Sequence, residues 1–222
     1  MSLSSYQGEE IITSVIIKGG KKTYEKKYFP RTVFNDPQGK NAYIIGNGES
    51  RLGFDLYKLP QDTYGCNAVY RDYQPDFLCC VDRKMYQEIV ESGYGEKNIV
   101  YTNHLNMSRY GGVSHLIPNN PHKGTGTTAV HVALHDGHTE LFLLGFDNDA
   151  NGKNNNVYKN TNAYNDDNTE VHQTVWGRQI FDIMKSRPDV HFTFVGGSQY
   201  LPEQLPNYKK ISYQEFENII NG

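Results

Sequence analysis

The sequence predicts an α/β domain with a mainly parallel sheet, preceded by a β-hairpin, and three observations carry that prediction. Short apolar runs alternate with helix-like stretches from residue 41 onward. Each of those runs is only four or five residues long with little strict alternation, as expected where both faces of a sheet are covered. Before residue 41 the pattern is different: a β-rich run, a Gly-Gly turn and a returning run. The organisation read from this is a hairpin extension over 1–40 and a Rossmann-like three-layer nucleotide-binding domain over 41–222.

Taken in order, residues 9–28 form the hairpin, with Gly19-Gly20 as its turn. Six Lys/Arg against three Glu through Arg31 give it a slightly basic, solvated character. Pro30 and the Asn35-Asp36-Pro37-Gln38-Gly39 stretch then punctuate the chain. The strands expected of the main sheet lie at 42–45, 63–66, 77–81, 98–102, 140–144 and 191–195, with helices at 82–92, 125–135 and 170–186. His115, Pro118, Asn119, Asn120, Pro121 and His122 read as loop. Residues 148–168 carry nine Asn and no period, so they read as one long loop, and loops of that length in compact domains are commonly functional or disordered.

Composition bounds the function. The chain has 222 residues, 37% apolar and 13% aromatic, so its aromatic rings must supply much of the buried area. A formal charge of −3 argues against duplex DNA or an anionic membrane surface as partner. No apolar run reaches the roughly 18 residues of a membrane span, and no signal peptide opens the chain. Cys66, Cys79 and Cys80 all fall in apolar runs and read as buried thiols in a reducing, cytoplasmic setting.

Two glycine-rich turns are the candidate ligand sites. The first strand runs into Gly46-Asn47-Gly48-Glu49-Ser50-Arg51, where backbone amides can approach a ligand and favour an anion. The third glycine of the dinucleotide fingerprint is replaced by Arg51, and the second strand ends in Cys66-Asn67 without the acid that clamps a ribose, which disfavours NAD. Asn67 can still bond a sugar or base. The second turn, Gly124-Thr125-Gly126-Thr127-Thr128, leads into a helix but lacks the Lys of a Walker A loop. Both turns belong at the carboxyl ends of strands, where open α/β sheets bind ligands.

The blocks Ile45-Gly46-Asn47-Gly48-Glu49-Ser50, Tyr64-Gly65-Cys66-Asn67, Thr125-Gly126-Thr127-Thr128-Ala129 and Leu143-Leu144-Gly145-Phe146-Asp147 together resemble one group. They are similar, over roughly 42–176, to the bacterial sialyltransferases of glycosyltransferase family 42 and to the related domain of archaeal 6-hydroxymethylpterin diphosphokinases. Glu49 stands where that group carries Pro. The resemblance implies that Asn47 and Asn67 hold a cytidine nucleotide; the site expected around them adds Gly46, Gly48 and Ser50 on the nucleotide, with Thr125 and Gly126 lining its phosphate or donor sugar. It implies Tyr158 and Tyr164 as hydroxyls on the leaving phosphate and His172 as the base that deprotonates the acceptor.

The reaction expected is transfer from a nucleotide-sugar donor to a glycan or small-molecule acceptor, with no resident cofactor or metal. The alternatives are a Mg²⁺-dependent diphosphokinase, for which Asp147 or Asp82 would be required, and a non-catalytic binding module on the same fold. Asp147-Asn148-Asp149 has the form of an Asp-x-Asp metal element, although an Asx-rich turn is the simpler and favoured account. His131, His135 and His138 share a helical spacing but lack the further ligand of a zinc site. Asp82, at the end of the third strand, either faces the cleft or caps the helix that follows.

Overall fold

The structure is a computed structural model that describes residues 3–5, 9–29, 33–35, 41–60, 62–147, 155–164, 171–197 and 204–222. Over 3–5, 9–18, 24–29, 33–35 and 171–176, and at position 22, only the backbone is described. Ahead of the main domain, β1 (Leu3–Ser5), β2 (Glu9–Lys18), β3 (Lys21–Phe29) and β4 (Val33–Asn35) form two small antiparallel sheets, β1 with β4 and β2 with β3. Gly19 and Gly20 take φ of 55° and 76°, the left-handed pair that a two-residue hairpin turn requires. The β1–β4 pair, three residues on each side, is too short to stand out in sequence.

The main sheet has eight parallel strands: β5 (Asn41–Ile45), β6 (Thr63–Cys66), β7 (Phe77–Cys79), β8 (Ile99–Thr102), β9 (His115–Leu116), β10 (Glu140–Leu144), β11 (His191–Val195) and β12 (Tyr208–Ile211). Their order is β12-β11-β10-β5-β6-β7-β8-β9. The α/β class and the six expected strands are therefore present, although β7 stops at Cys79 instead of 81. Two edge strands are additional. His115 belongs to β9 and not to a loop, because its two-residue strand pairs only with Tyr101 and Thr102 of β8. The other edge, Tyr-Lys-Lys-Ile, carries two exposed lysines, which hides it from a search for apolar runs and suits an unpaired edge.

Helices α1 (Arg83–Glu91), α2 (His104–Tyr110), α3 (Thr125–His135), α4 (Val171–Ser186) and α5 (Tyr213–Asn221) complete the domain. Alternation along β5 separates the layers. Ala42 and Ile44 pack with Ala129, Val130 and Ala133 of α3 and Ile180 and Met184 of α4. Tyr43 and Ile45 pack on the other face with Phe216 of α5, while Met85, Tyr86 and Ile89 of α1 cover Leu78 and Val100 on that face further along the sheet. The short helices α2 and α5 escape the hydrophobic pattern, but each has a side-chain cap. Asn103 accepts from the Asn106 amide, and Ser212 with Glu215 forms a full capping box.

Cys66, Cys79 and Cys80 are buried free thiols, and burial pushes Cys66 up to about 12 and the other two further from reactivity. Among the described residues no helix is long and apolar enough to cross a membrane.

Candidate functional site

The chain leaves β5 toward β6 on one side and leaves β10 toward β11 on the other, so the crevice between these adjacent strands is the topological switch point. The loops that follow the two strands meet there. Gly46 N donates to Leu144 O at 2.8 Å, Gly48 N to Gly145 O at 2.8 Å, and Ser50 N to Asp147 Oδ2 at 2.9 Å. A Cβ on Gly46 would come within 2.5 Å of Gly145 O, and one on Gly48 within 2.6 Å of Asp147 Oδ2. These glycines are therefore required by the approach of one loop to the other. The amides expected to face an anion are taken by protein acceptors, and Glu49–Arg51 is a single 3₁₀ turn and not the start of an α-helix. Asp147 is buried, and its other oxygen has no hydrogen-bond partner among the described residues.

The side chains of these turns do converge. Asn47 Nδ2 donates to the Tyr164 hydroxyl at 2.8 Å, and the Asn67 side chain bonds the same hydroxyl. Asn67, held at a left-handed φ of 51°, also donates to Asp82 Oδ2 at 2.5 Å and accepts from Thr125 Oγ1 at 2.9 Å. Thr125 Oγ1 lies 3.2 Å from Asp82 Oδ2 as well. Asn47, Tyr164, Asn67, Asp82 and Thr125 thus make one polar chain across the carboxyl ends of β5, β6 and β7 and the start of α3. Burial raises the Tyr164 pKa, and the nearby Asp82 charge raises it further, so its hydroxyl keeps its proton at neutral pH. With Asn47 donating to its oxygen, the hydroxyl still has its own proton to donate.

Tyr158 belongs to a neighbouring network. Its hydroxyl donates to Asp72 and accepts from Arg51 Nη2 at 2.7 Å, and Arg51 Nη2 also pairs with Asp72 Oδ2 at 3.2 Å. Arg51 is only 4% exposed, and the guanidinium groups of Arg51 and Arg71 lie 5.6 and 5.5 Å from the Tyr158 ring centroid. Burial and the bond to Asp72 raise the pKa of this hydroxyl too. Tyr158 and Tyr164 are neighbours, with ring centroids 6.1 Å apart.

The described part of the Asn-rich stretch, 155–164, is fastened over this region. Val157 N donates to Asn47 O at 2.8 Å and Gly48 bridges Asn156. Glu88 of α1 accepts from Tyr70, from Arg71 through both Nε and Nη2, and from Asn162 at 2.7–2.8 Å. Arg71 in turn reaches Thr161 Oγ1 at 2.8 Å, and Lys159 pairs with Glu49 at 2.6 Å.

Gly126 packs against Phe146, where a Cβ would lie 3.0 Å from the ring. Ser50 Oγ is buried without a partner among the described residues. His172 is the second residue of α4, and its side chain lies outside the described part, as do residues 148–154 with Asn148 and Asp149. Asp82 stands before α1 without capping it, its carboxylate turned to Asn67 and Thr125 instead. Arg51, Asp72, Arg71 and Glu88 carry no motif in sequence, since their partners lie 17 to 107 residues away. His131 bonds Pro118 O, and buried His138 bonds the Tyr64 hydroxyl, which donates to Asp136.

No family model matches this chain, and no curated protein matches it. Among solved structures, the sialyltransferase CstII from Campylobacter jejuni in complex with the substrate analogue cytidine-5'-monophosphate is 16% identical, over 70% of this chain and 79% of that one, with a TM-score of 0.44. A variant of sialyltransferase CST-II in complex with CMP is 14% identical over 80% of this chain and 98% of that one, with a TM-score of 0.48. CST-II in complex with a trisaccharide acceptor and CMP is 14% identical over 70% and 80%, with a TM-score of 0.44.

Proposed function

We propose that this protein is a nucleotide-sugar-dependent glycosyltransferase of the sialyltransferase-like kind. The observation that carries the reading is the single polar chain Asn47–Tyr164–Asn67–Asp82–Thr125, drawn from five separate stretches of sequence to the carboxyl edge of a parallel sheet. Three of those stretches are the ones that resemble the sialyltransferases. In this reading Asn47 and Asn67 hold the nucleotide, and Thr125 with Gly126 lines its phosphate or sugar. Gly46, Gly48 and Ser50 act by shaping the turn that presents Asn47.

The chemistry is a substitution at the anomeric carbon. An acceptor hydroxyl forms the new C–O bond as the bond from that carbon to the phosphate oxygen breaks, and the electron pair leaves with the phosphate. His172 takes the acceptor proton, the protonated hydroxyl of Tyr164 donates to the departing oxygens, and Tyr158 does the same by releasing its bond to Asp72. No metal or cofactor enters this scheme, and the acceptor is a glycan or a small hydroxylated molecule. Three buried thiols suit a reducing, cytoplasmic compartment.

Saturation-transfer NMR of the full chain with CMP, CDP, UDP and ATP tests the reading. Binding of a pyrimidine nucleotide that weakens in Asn47→Ala supports it. Silence from all four at millimolar concentration removes it. His172→Ala should abolish transfer while leaving nucleotide binding intact.

A further inference from the structure

The second strand ends in Asn67 and lacks the acid that clamps sugar hydroxyls in dinucleotide sites. The structure supplies an acid from the adjacent strand end. Asp82 leaves its own helix uncapped and turns its carboxylate onto Asn67 and Thr125, with both side-chain contacts landing on Oδ2. Asp82 is exposed, and among the described residues no cation pairs with it. Charge across the site is thus uneven. The guanidinium groups of Arg51 and Arg71 on the Tyr158 side are matched by Asp72 and Glu88, whereas the Asp82 carboxylate on the Asn67 side has no matching cation among the described residues.

Resting on the glycosyltransferase reading but departing from the carboxylated donor sugar of sialyltransferases, we propose that Asp82 sets the class of donor: a nucleotide whose sugar is uncharged and offers hydroxyls to this carboxylate. A sugar O–H donates to a carboxylate in a charge-assisted bond. A carboxylated sugar placed there meets a like charge, and that repulsion discriminates against it. The phosphate of the donor then belongs at the other end, beside the tyrosine hydroxyls.

The matched pair UDP-glucose and UDP-glucuronate, which differ by one carboxylate, gives the test, with CDP-glucose and CMP-N-acetylneuraminate as the cytidine set. Dissociation constants are measured by calorimetry on the full chain and on Asp82→Asn. The neutral donors should bind more tightly to the wild type, and the neutral-to-anionic ratio should fall about fivefold in the variant, the scale of one partly exposed charge pair. A wild type that binds the carboxylated donors equally or more tightly overturns the proposal even if the variant fails to fold. So does an unchanged ratio in Asp82→Asn. If free CMP or UDP binds and the ratio is flat, only the donor class is lost; if no nucleotide binds, the glycosyltransferase reading falls and this inference falls with it.

Discussion

Asp147 accepts the backbone amide of Ser50 at 2.9 Å, tying the turn after β5 to the turn after β10 across 97 residues of sequence. The carboxylate is only 7% exposed, so the bond operates away from water. Asp147→Ala leaves the Ser50 amide without its acceptor, and a bond to a charged group of this kind contributes about 1.5–3 kcal/mol. Urea denaturation should show a loss of that size with an unchanged m-value, and nucleotide binding should weaken as the turn carrying Asn47 loosens.

The glycines on either side of Asn47 make a graded pair. Gly46→Ala drives a methyl to 2.5 Å from the Gly145 carbonyl, which is backbone, whereas Gly48→Ala meets chiefly the end of the Asp147 side chain at 2.6 Å and the same carbonyl at 2.6 Å. Both should destabilise by about 1–3 kcal/mol, as overpacking does. Thermal unfolding of Gly48→Ala in an Asp147→Ala background should show non-additivity, because removing the Asp147 carboxylate leaves only the Gly145 carbonyl for the methyl to strike.

Tyr158→Phe keeps the ring between its two guanidinium neighbours and removes only the hydroxyl that Arg51 and Asp72 share. Arg51, almost wholly buried, then loses a partner, at a cost of about 1–3 kcal/mol. The chemical denaturation midpoint reports that cost. If the hydroxyl also serves the leaving phosphate, transfer should fall by more than the stability change explains.

Glu88 gives a pH signature. Partial burial pushes its pKa up, but the bonds from Arg71, Tyr70 and Asn162 outweigh that and hold it below the usual carboxylate value. A depressed folded-state pKa contributes stability that is present above the unfolded value of about 4.3 and is lost as pH falls through the folded value. Glu88→Gln should therefore be less stable than wild type at neutral pH and converge with it in acid. Amide exchange should accelerate over 155–164, the segment Glu88 fastens through Arg71 and Asn162.

The sheet was legible because a parallel strand buried on both faces must be apolar, as in Ile44-Ile45 or Leu141-Phe142-Leu143-Leu144. The edges were not, since β9 has two residues and β12 presents Lys209 and Lys210 to solvent. In the site, Asn47, Asn67 and Thr125 were visible because each sits at a fixed offset from a strand or helix end. Two things lay beyond such reasoning. A Gly-x-Gly turn reads alike whether a ligand or another loop approaches it, and here Leu144, Gly145 and Asp147 take the amides. The Arg51–Asp72–Tyr158 and Arg71–Glu88 networks join residues whose nearness exists only once the chain has closed. Residues 148–154 and His172's side chain lie outside what the structure describes, so the Asp-x-Asp element and the proposed base rest on sequence.

The place of β5 at the centre of the sheet also governs how the chain must assemble. Its partner β6 follows within 20 residues, but its other neighbour, β10, begins at Glu140 and comes off the ribosome about a hundred residues later. A nascent chain that has made β5 to β9 therefore carries a half-sheet whose apolar edge, Ala42-Tyr43-Ile44-Ile45, has nothing to pair with. Fragments ending before residue 140 should aggregate, and the Asp147 tie to Ser50 can form only after β10 has been made to seal that edge.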